Sequence, residues 1–162
     1  MKNRLFIAVI LGLVWSASLS DWAQTAAPTA PDVLTLPKVA LHVGKATLNT
    51  EIAATGPQRE RGLMFRSRMA DNDGMIFLMP NIAIATFWMK NTLIPLSIAF
   101  IDKNGVILDI HDMKALDESI TRSDNDQVAY ALETNLHWFA LNGIKPGDKI
   151  DPAPATLGKP TL

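Results

Sequence analysis

The chain has no cysteine. That excludes disulfide stapling, thiol nucleophiles and lipoprotein attachment through cysteine, whatever compartment the protein occupies. It has no surplus of either charge: 15 basic and 16 acidic side chains in 162 residues give a formal net charge of -1. Counterion release therefore has little to work with, and nucleic acid is not an expected partner. A membrane-length apolar run is also missing. The prominent run, LFIAVILGLVW from Leu5 to Trp15, is shorter than the roughly 20 apolar residues a spanning helix needs. There is no internal repeat, Walker loop or dinucleotide fingerprint. His42, His111 and His137 show no familiar metal spacing. Asp102, Asn104, Asp124 and Asp126 fall outside an EF-hand register.

What is present begins with a positive end, Lys2 and Arg4, ahead of the apolar run, with Ala23, Ala26 and Ala27 behind it. This order predicts a secretory signal peptide over residues 1–26. A flexible linker over 27–32, a single domain over 33–151 and a Pro- and Ala-rich tail over 152–162, lying along the surface, complete the expected organisation. The corresponding location is the periplasm of a Gram-negative cell, with no stable membrane span after processing.

The body of the chain alternates. Val39, Leu41 and Val43 share one face of a strand, Gly44-Lys45 turns it, and Leu48, Thr50 and Ile52 continue in a second. Thr55, Pro57 and Gly62 mark the cap, first turn and end of a short helix. Further strands are predicted at 75–79, 86–89, 94–101 and 106–110, the last two joined by the hairpin signal Asp102-Lys103-Asn104-Gly105. Residues 112–126 read as an ordered surface loop or flap. A strand over Val128–Glu133 leads to a short helix capped by Thr134 and ended by Gly143, and PGDKI turns into a closing strand. The expected fold is mainly β, a compact single-domain barrel or sandwich-like structure with two short helices; an α+β roll is the alternative.

The stretch FWMKNT, Phe87 to Thr92, interrupts two apolar runs with an ammonium, an amide and a hydroxyl. Lys90, Asn91 and Thr92 are suited to orienting an anion or polar group beside the flat wall of Trp88, which is how small-molecule pockets are composed. The alternative is a well-closed turn in which one of Trp88 and Met89 is core. Arg59 and Arg66 can fork a carboxylate or phosphate, or pair internally with Glu51, Asp71, Asp73 or Glu133. No nucleophile, base and orienter fall into a matched order, so no catalytic residue, cofactor or metal ligand set is assigned. Two chemical alternatives stay open: acid catalysis by Asp102 or Glu133, and soft-metal binding, since His111 and Met113 pair an imidazole with a thioether of the kind copper accepts.

The stretches RERGLMFR (Arg59–Arg66), DGMIF (Asp73–Phe77), FWMKNTLIPLSIAFID (Phe87–Asp102), YALE (Tyr130–Glu133) and IKPGDKI (Ile144–Ile150) closely resemble the bacterial and archaeal family known as domain of unknown function 192. The resemblance runs from about Ala46 to Ile150 and implies a compact, mainly β domain; members often carry an export signal. It supplies no reaction or ligand. Its pattern falls on Arg59, Gly62, Met64, Arg66, Gly74, Met75, Trp88, Met89, Lys90, Asn91, Thr92, Pro95, Glu133, Gly147 and Asp148, as fold or site positions. The family commonly has an acid where this chain has Ser97, so a carboxylate role there is absent. The resulting expectation is a periplasmic binding or accessory protein for a small polar or anionic ligand at the WMKNT segment. An envelope structural or interaction protein is a further alternative.

Overall fold

The computed structural model describes residues 36–157. The expected leader and linker, and the end of the tail, lie outside the described residues.

The hairpin forms as its alternation predicts: β1 (Lys38–Val43) pairs antiparallel with β2 (Ala46–Ala53), with Gly44 in the turn at positive φ. The chain then crosses over through α1 (Gly56–Arg61) to β3 (Asp73–Ala83), which lies parallel to β2. Thr55 and Gln58 cap α1 reciprocally, each satisfying a backbone N–H that the first turn leaves free. After the short β4 (Thr86–Phe87) come β5 (Leu96–Ile101) and β6 (Ile107–Met113), joined by the Asp102–Gly105 turn. The Asp102 carboxylate accepts from the amides of Asn104 and Val106 and holds that turn. β7 (Thr121–Arg122), β8 (Val128–Asn135), α2 (Trp138–Leu141) and β9 (Ile150–Asp151) follow, and a single 3-10 turn at Pro154–Thr156 ends the order.

Seven strands make one sheet in the order β6-β5-β8-β3-β2-β1-β9. Its edges meet: Val106 bridges Lys149, and Ile107 donates to the Asp148 carbonyl at 2.9 Å while Gly147 donates to Ile107 at 2.8 Å. The sheet is a curled, nearly closed half-barrel, mainly β with two short helices. Gly147, at φ 98, lets the chain reach that seam. Gly147 and Asp148 thus serve closure.

Both faces of the sheet are covered, so all six residues of β5 are buried. On one face every strand contributes to a core of Leu41, Val43, Leu48, Ile76, Ala99, Ile101, Ile107, Leu132 and Ile150, with Trp138 and Phe139 of α2 packed in. The other face carries Ala53, Met75, Phe77, Leu96, Ile98, Phe100, Met113 and Ala131 beneath a cap of loops that supplies Leu63, Ala85 and Met89. Three loops build the cap. Phe65 donates to the Asn91 carbonyl at 2.8 Å, Met89 to Asp117 at 2.9 Å and Leu116 to Thr92 at 3.0 Å, while β4 pairs with β7. The FWMKNT segment is the middle loop, tied on both sides.

Three local expectations change. Thr134 does not cap α2: β8 continues through it to Asn135, which pairs with Leu96, and Thr134 is buried. The helix starts after His137, held at φ 64 by its amide donating to Ser97 Oγ. Residues 112–126 are not all loop, since Asp112 and Met113 belong to β6 and Thr121–Arg122 to β7. In the tail, Pro154 is buried, and its ring lies 3.2 Å from where a Cβ on Gly105 would stand.

Candidate functional site

Strand register places three polar side chains in one row of the capped face. Across the sheet run His111, Ile98, Glu133, Met75 and Glu51, each paired with the next. Side chains at one level of adjacent strands share a face, so the cap covers two carboxyls and an imidazole.

Glu51 is neutralised in place. Arg66 forks it with two bonds of 2.7 Å, and both side chains are largely buried. That hydrogen-bonded pairing raises the Arg66 guanidinium above its ordinary value. The structure therefore uses Arg66 in the internal pair that was the alternative to a ligand role. Arg59 is similarly engaged, donating to the carbonyls of Ala54 and Leu78.

Glu133 has no such cation. It is buried beside Met75 and Ile98, and burial alone pushes its carboxyl up to about 8. It lines a narrow recess of about 30 Å³ with Phe77, Phe87, Trp88 and Thr92. The recess shares Glu60, Arg61, Met64 and Trp88 with a wider cavity of about 400 Å³, which Pro57, Lys90 and Asn91 complete. The positions singled out by sequence thus divide. Trp88, Lys90, Asn91, Thr92 and Met64 converge on the cleft, and Arg59 and Gly62 border its recess. Met89 turns inward as core while Trp88 stays 42% exposed. Lys90 lies 5.1 Å from the Trp88 ring centre, a cation–π contact. Asn91 takes φ 56, which asparagine tolerates, and so presents its carbonyl to Phe65. Gly74 is a packing position: a Cβ there would stand 2.7 Å from the Glu133 carbonyl oxygen and from Leu48. Pro95, exposed, precedes β5.

The two candidate acids, Asp102 and Glu133, do not come together as a pair. Ile101 pairs with Tyr130, so Asp102 sits roughly 13 Å along β8 from Glu133 at strand rise, and its carboxylate already holds a turn. Ser97, Asp112 and His137 do meet, but Ser97 Oγ donates to Asp112, and His137 Nδ1 lies 2.9 Å from the other Asp112 oxygen. The carboxylate stands between hydroxyl and imidazole, which is the wrong order for activating a serine. Ser97 is itself buried.

A second cluster lies at the β6 end of the row. Asp109 and His111, two residues apart on β6, share the capped face, and Asp124 comes from the loop before β8. Ser123 fixes that loop: its hydroxyl accepts from the Ala85 amide and donates to the Asn125 carbonyl. One donor atom from each of Asp109, His111 and Asp124 lies within 4.8 Å of the others. His111 Nε2 is 2.8 Å from Asp109 Oδ1 and 3.9 Å from Asp124 Oδ2. Asp109 is 8% exposed, and its Oδ2 is buried with no hydrogen-bond partner, alone in this among side-chain atoms of the described residues. Met113, the thioether expected beside His111, is packed in the apolar core. The period-two spacing in LDIHD was a usable signal for Asp109 beside His111; nothing in the sequence signalled Asp124.

A half-barrel with one capped face, a cleft under the cap and a small carboxylate–imidazole cluster defines a compact mainly β domain with candidate binding sites. Its residues 39–152 match the family model DUF192, described as "Uncharacterized ACR", and the chain belongs to that family. Two crystal structures are similar. One, from Sinorhizobium meliloti and described as a "putative transcription regulator", is 34% identical, covering 73% of this chain and 95% of its own with a TM-score of 0.69. The other, a protein of unknown function from Novosphingobium aromaticivorans, is 36% identical, covering 78% and 94% with a TM-score of 0.70. No curated protein matches. Among the described residues no helix is long and apolar enough to cross a membrane.

Proposed function

We propose that this protein binds a divalent transition-metal ion through Asp109, His111 and Asp124. The observation that carries the reading is the orphaned Asp109 Oδ2: a buried carboxylate oxygen without a donor costs free energy that a cation at its side removes. One imidazole and two carboxylates form a mixed nitrogen–oxygen set suited to Zn2+ or Mn2+, with further positions left for water or a ligand. The soft N,S set for copper is not supported, because Met113 turns into the core. Loading the site requires the 2.8 Å His111–Asp109 contact to open, since ligand atoms at about 2.1 Å from zinc in a tetrahedron stand roughly 3.4 Å apart. Chelator-stripped protein equilibrated with Zn2+ or Mn2+ and freed of excess should retain about one ion per chain by elemental analysis. His111→Ala, folded by circular dichroism, should not.

A second reading has its own support. Trp88, Lys90 and Asn91 line a cavity of about 400 Å³, the proportions of a small-ligand site, and we read it as a place for a small polar or anionic molecule. Nucleic acid recognition, suggested by the description of the S. meliloti relative, has no matching charge surplus in a chain of net charge -1. Export to the periplasm is proposed from Lys2, Arg4 and the Leu5–Trp15 run; mass spectrometry of the purified native protein should find an N-terminus between about Asp21 and Pro28, and an intact Met1 would refute it.

A further inference from the structure

We propose that the cleft under the cap takes a small organic carboxylate carried on a flat apolar body, its anionic end against the Glu133 carboxyl in the recess and its body along Trp88. This rests on the reading of the cleft as a ligand site and adds the ligand's class and the residue that selects it.

The shape comes first. The recess of about 30 Å³ holds little more than a functional group, while the outer cavity of about 400 Å³ holds a ring. Phe77 and Phe87 pack edge to face at 5.1 Å and form apolar walls of the recess, with the buried Thr92 among the residues that line it. Trp88, Met64 and Pro57 give the outer cavity a flat apolar lining.

Charge decides the sign of the ligand. Arg59, Glu60 and Arg61 face the recess from α1, and Lys90 stands at the mouth over Trp88. Across Met75, Glu51 is cancelled by Arg66; across Ile98, His111 is engaged with Asp109. Apart from Glu133, the groups bordering the cleft therefore carry more positive than negative charge. A carboxylate in the recess would be repelled by an ionised Glu133, but burial holds that carboxyl protonated at neutral pH. The neutral acid donates its proton to the ligand oxygen in an O–H···O⁻ hydrogen bond, the strong charge-assisted kind. An amine would need that proton removed first and would meet the cationic surroundings.

The test is benzoate binding to the full chain, followed by the Trp88 indole resonance and by calorimetry between pH 6 and pH 10, with benzylamine as the opposite-charge probe. Benzoate should bind, and its affinity should fall about tenfold per pH unit above about 8 as Glu133 loses its proton. Glu133→Gln keeps a neutral donor of the same size and should bind with no such fall; Thr92→Val should weaken binding severalfold while keeping the wild-type pH profile. If benzoate binds with the same pH profile in wild type and Glu133→Gln, or benzylamine binds in its place, the inference is overturned and the ligand cleft survives. If neither probe binds at any pH, both fail.

Discussion

Glu51 and Glu133 sit at the same level of the same face, one strand to either side of Met75, roughly 10 Å apart at strand spacing. Both are buried carboxyls under the cap, yet the fold treats them differently. Glu51 is forked by Arg66 and is finished as a structural element. Glu133 has no cation and is left to hold a proton beside a cleft. Asp109, one level along and at the far edge, is treated in a third way: one oxygen meets His111 and the other meets nothing. The difference shows how to separate framework from site in this domain. A buried carboxyl whose oxygens are both satisfied by the chain belongs to the framework, and one left incomplete marks a place for a ligand.

The sharpest way to break the comparison is to make Glu51 resemble Glu133. Arg66→Ala leaves a buried acid without its fork, and we expect a loss of about 3–5 kcal/mol in urea unfolding. The double substitution Arg66→Met with Glu51→Leu should recover most of it, because neither charge then needs a partner. A loss below about 1 kcal/mol in the single variant would make Glu51 no more framework than Glu133.

The next largest effect is on pH dependence. Folded Glu133 holds its proton up to about 8, against an ordinary value of 4.5, so the folded state binds a proton that the unfolded chain releases. Its contribution is fully present below about 4.5, is lost as pH rises, and is gone above about 8. In that window the slope approaches about 1.4 kcal/mol per pH unit. Glu133→Gln should remove that slope, so that the variant gains on wild type as pH is raised from 5 to 8. Parallel stability profiles for the two proteins would place Glu133 among satisfied groups like Glu51.

Much of the framework was readable from the residues. The β1–β2 hairpin followed from alternation, α1 from Thr55, Pro57 and Gly62, and the β5–β6 turn from Asn104-Gly105, because each is decided by neighbours in the chain. Thr134 misled because its local chemistry suits a cap, while pairing of β8 with β5 satisfied that backbone first. The site was only half legible. Trp88, Lys90, Asn91 and Thr92 stood out by composition, but the recess that Trp88 and Thr92 share with Glu133, beside the cavity that Lys90 and Asn91 line, depends on hydrogen bonds between loops far apart in sequence, such as Phe65 to Asn91. Arg59 and Arg66 carried two readings until their partners were placed. Asp124 reaches His111 only through the folded loop before β8.

The smallest structural change asked of the protein is the opening of the His111–Asp109 contact, and it bears on the central claim that an incomplete buried carboxylate marks a site. The direct measurement is a calorimetric titration of chelator-stripped protein with Zn2+, run beside His111→Ala, Asp124→Ala and Glu133→Gln. We predict one ion per chain in wild type and in Glu133→Gln, binding at least tenfold weaker in Asp124→Ala, and none in His111→Ala. No uptake by folded wild-type protein, or uptake unchanged in His111→Ala, would contradict the account.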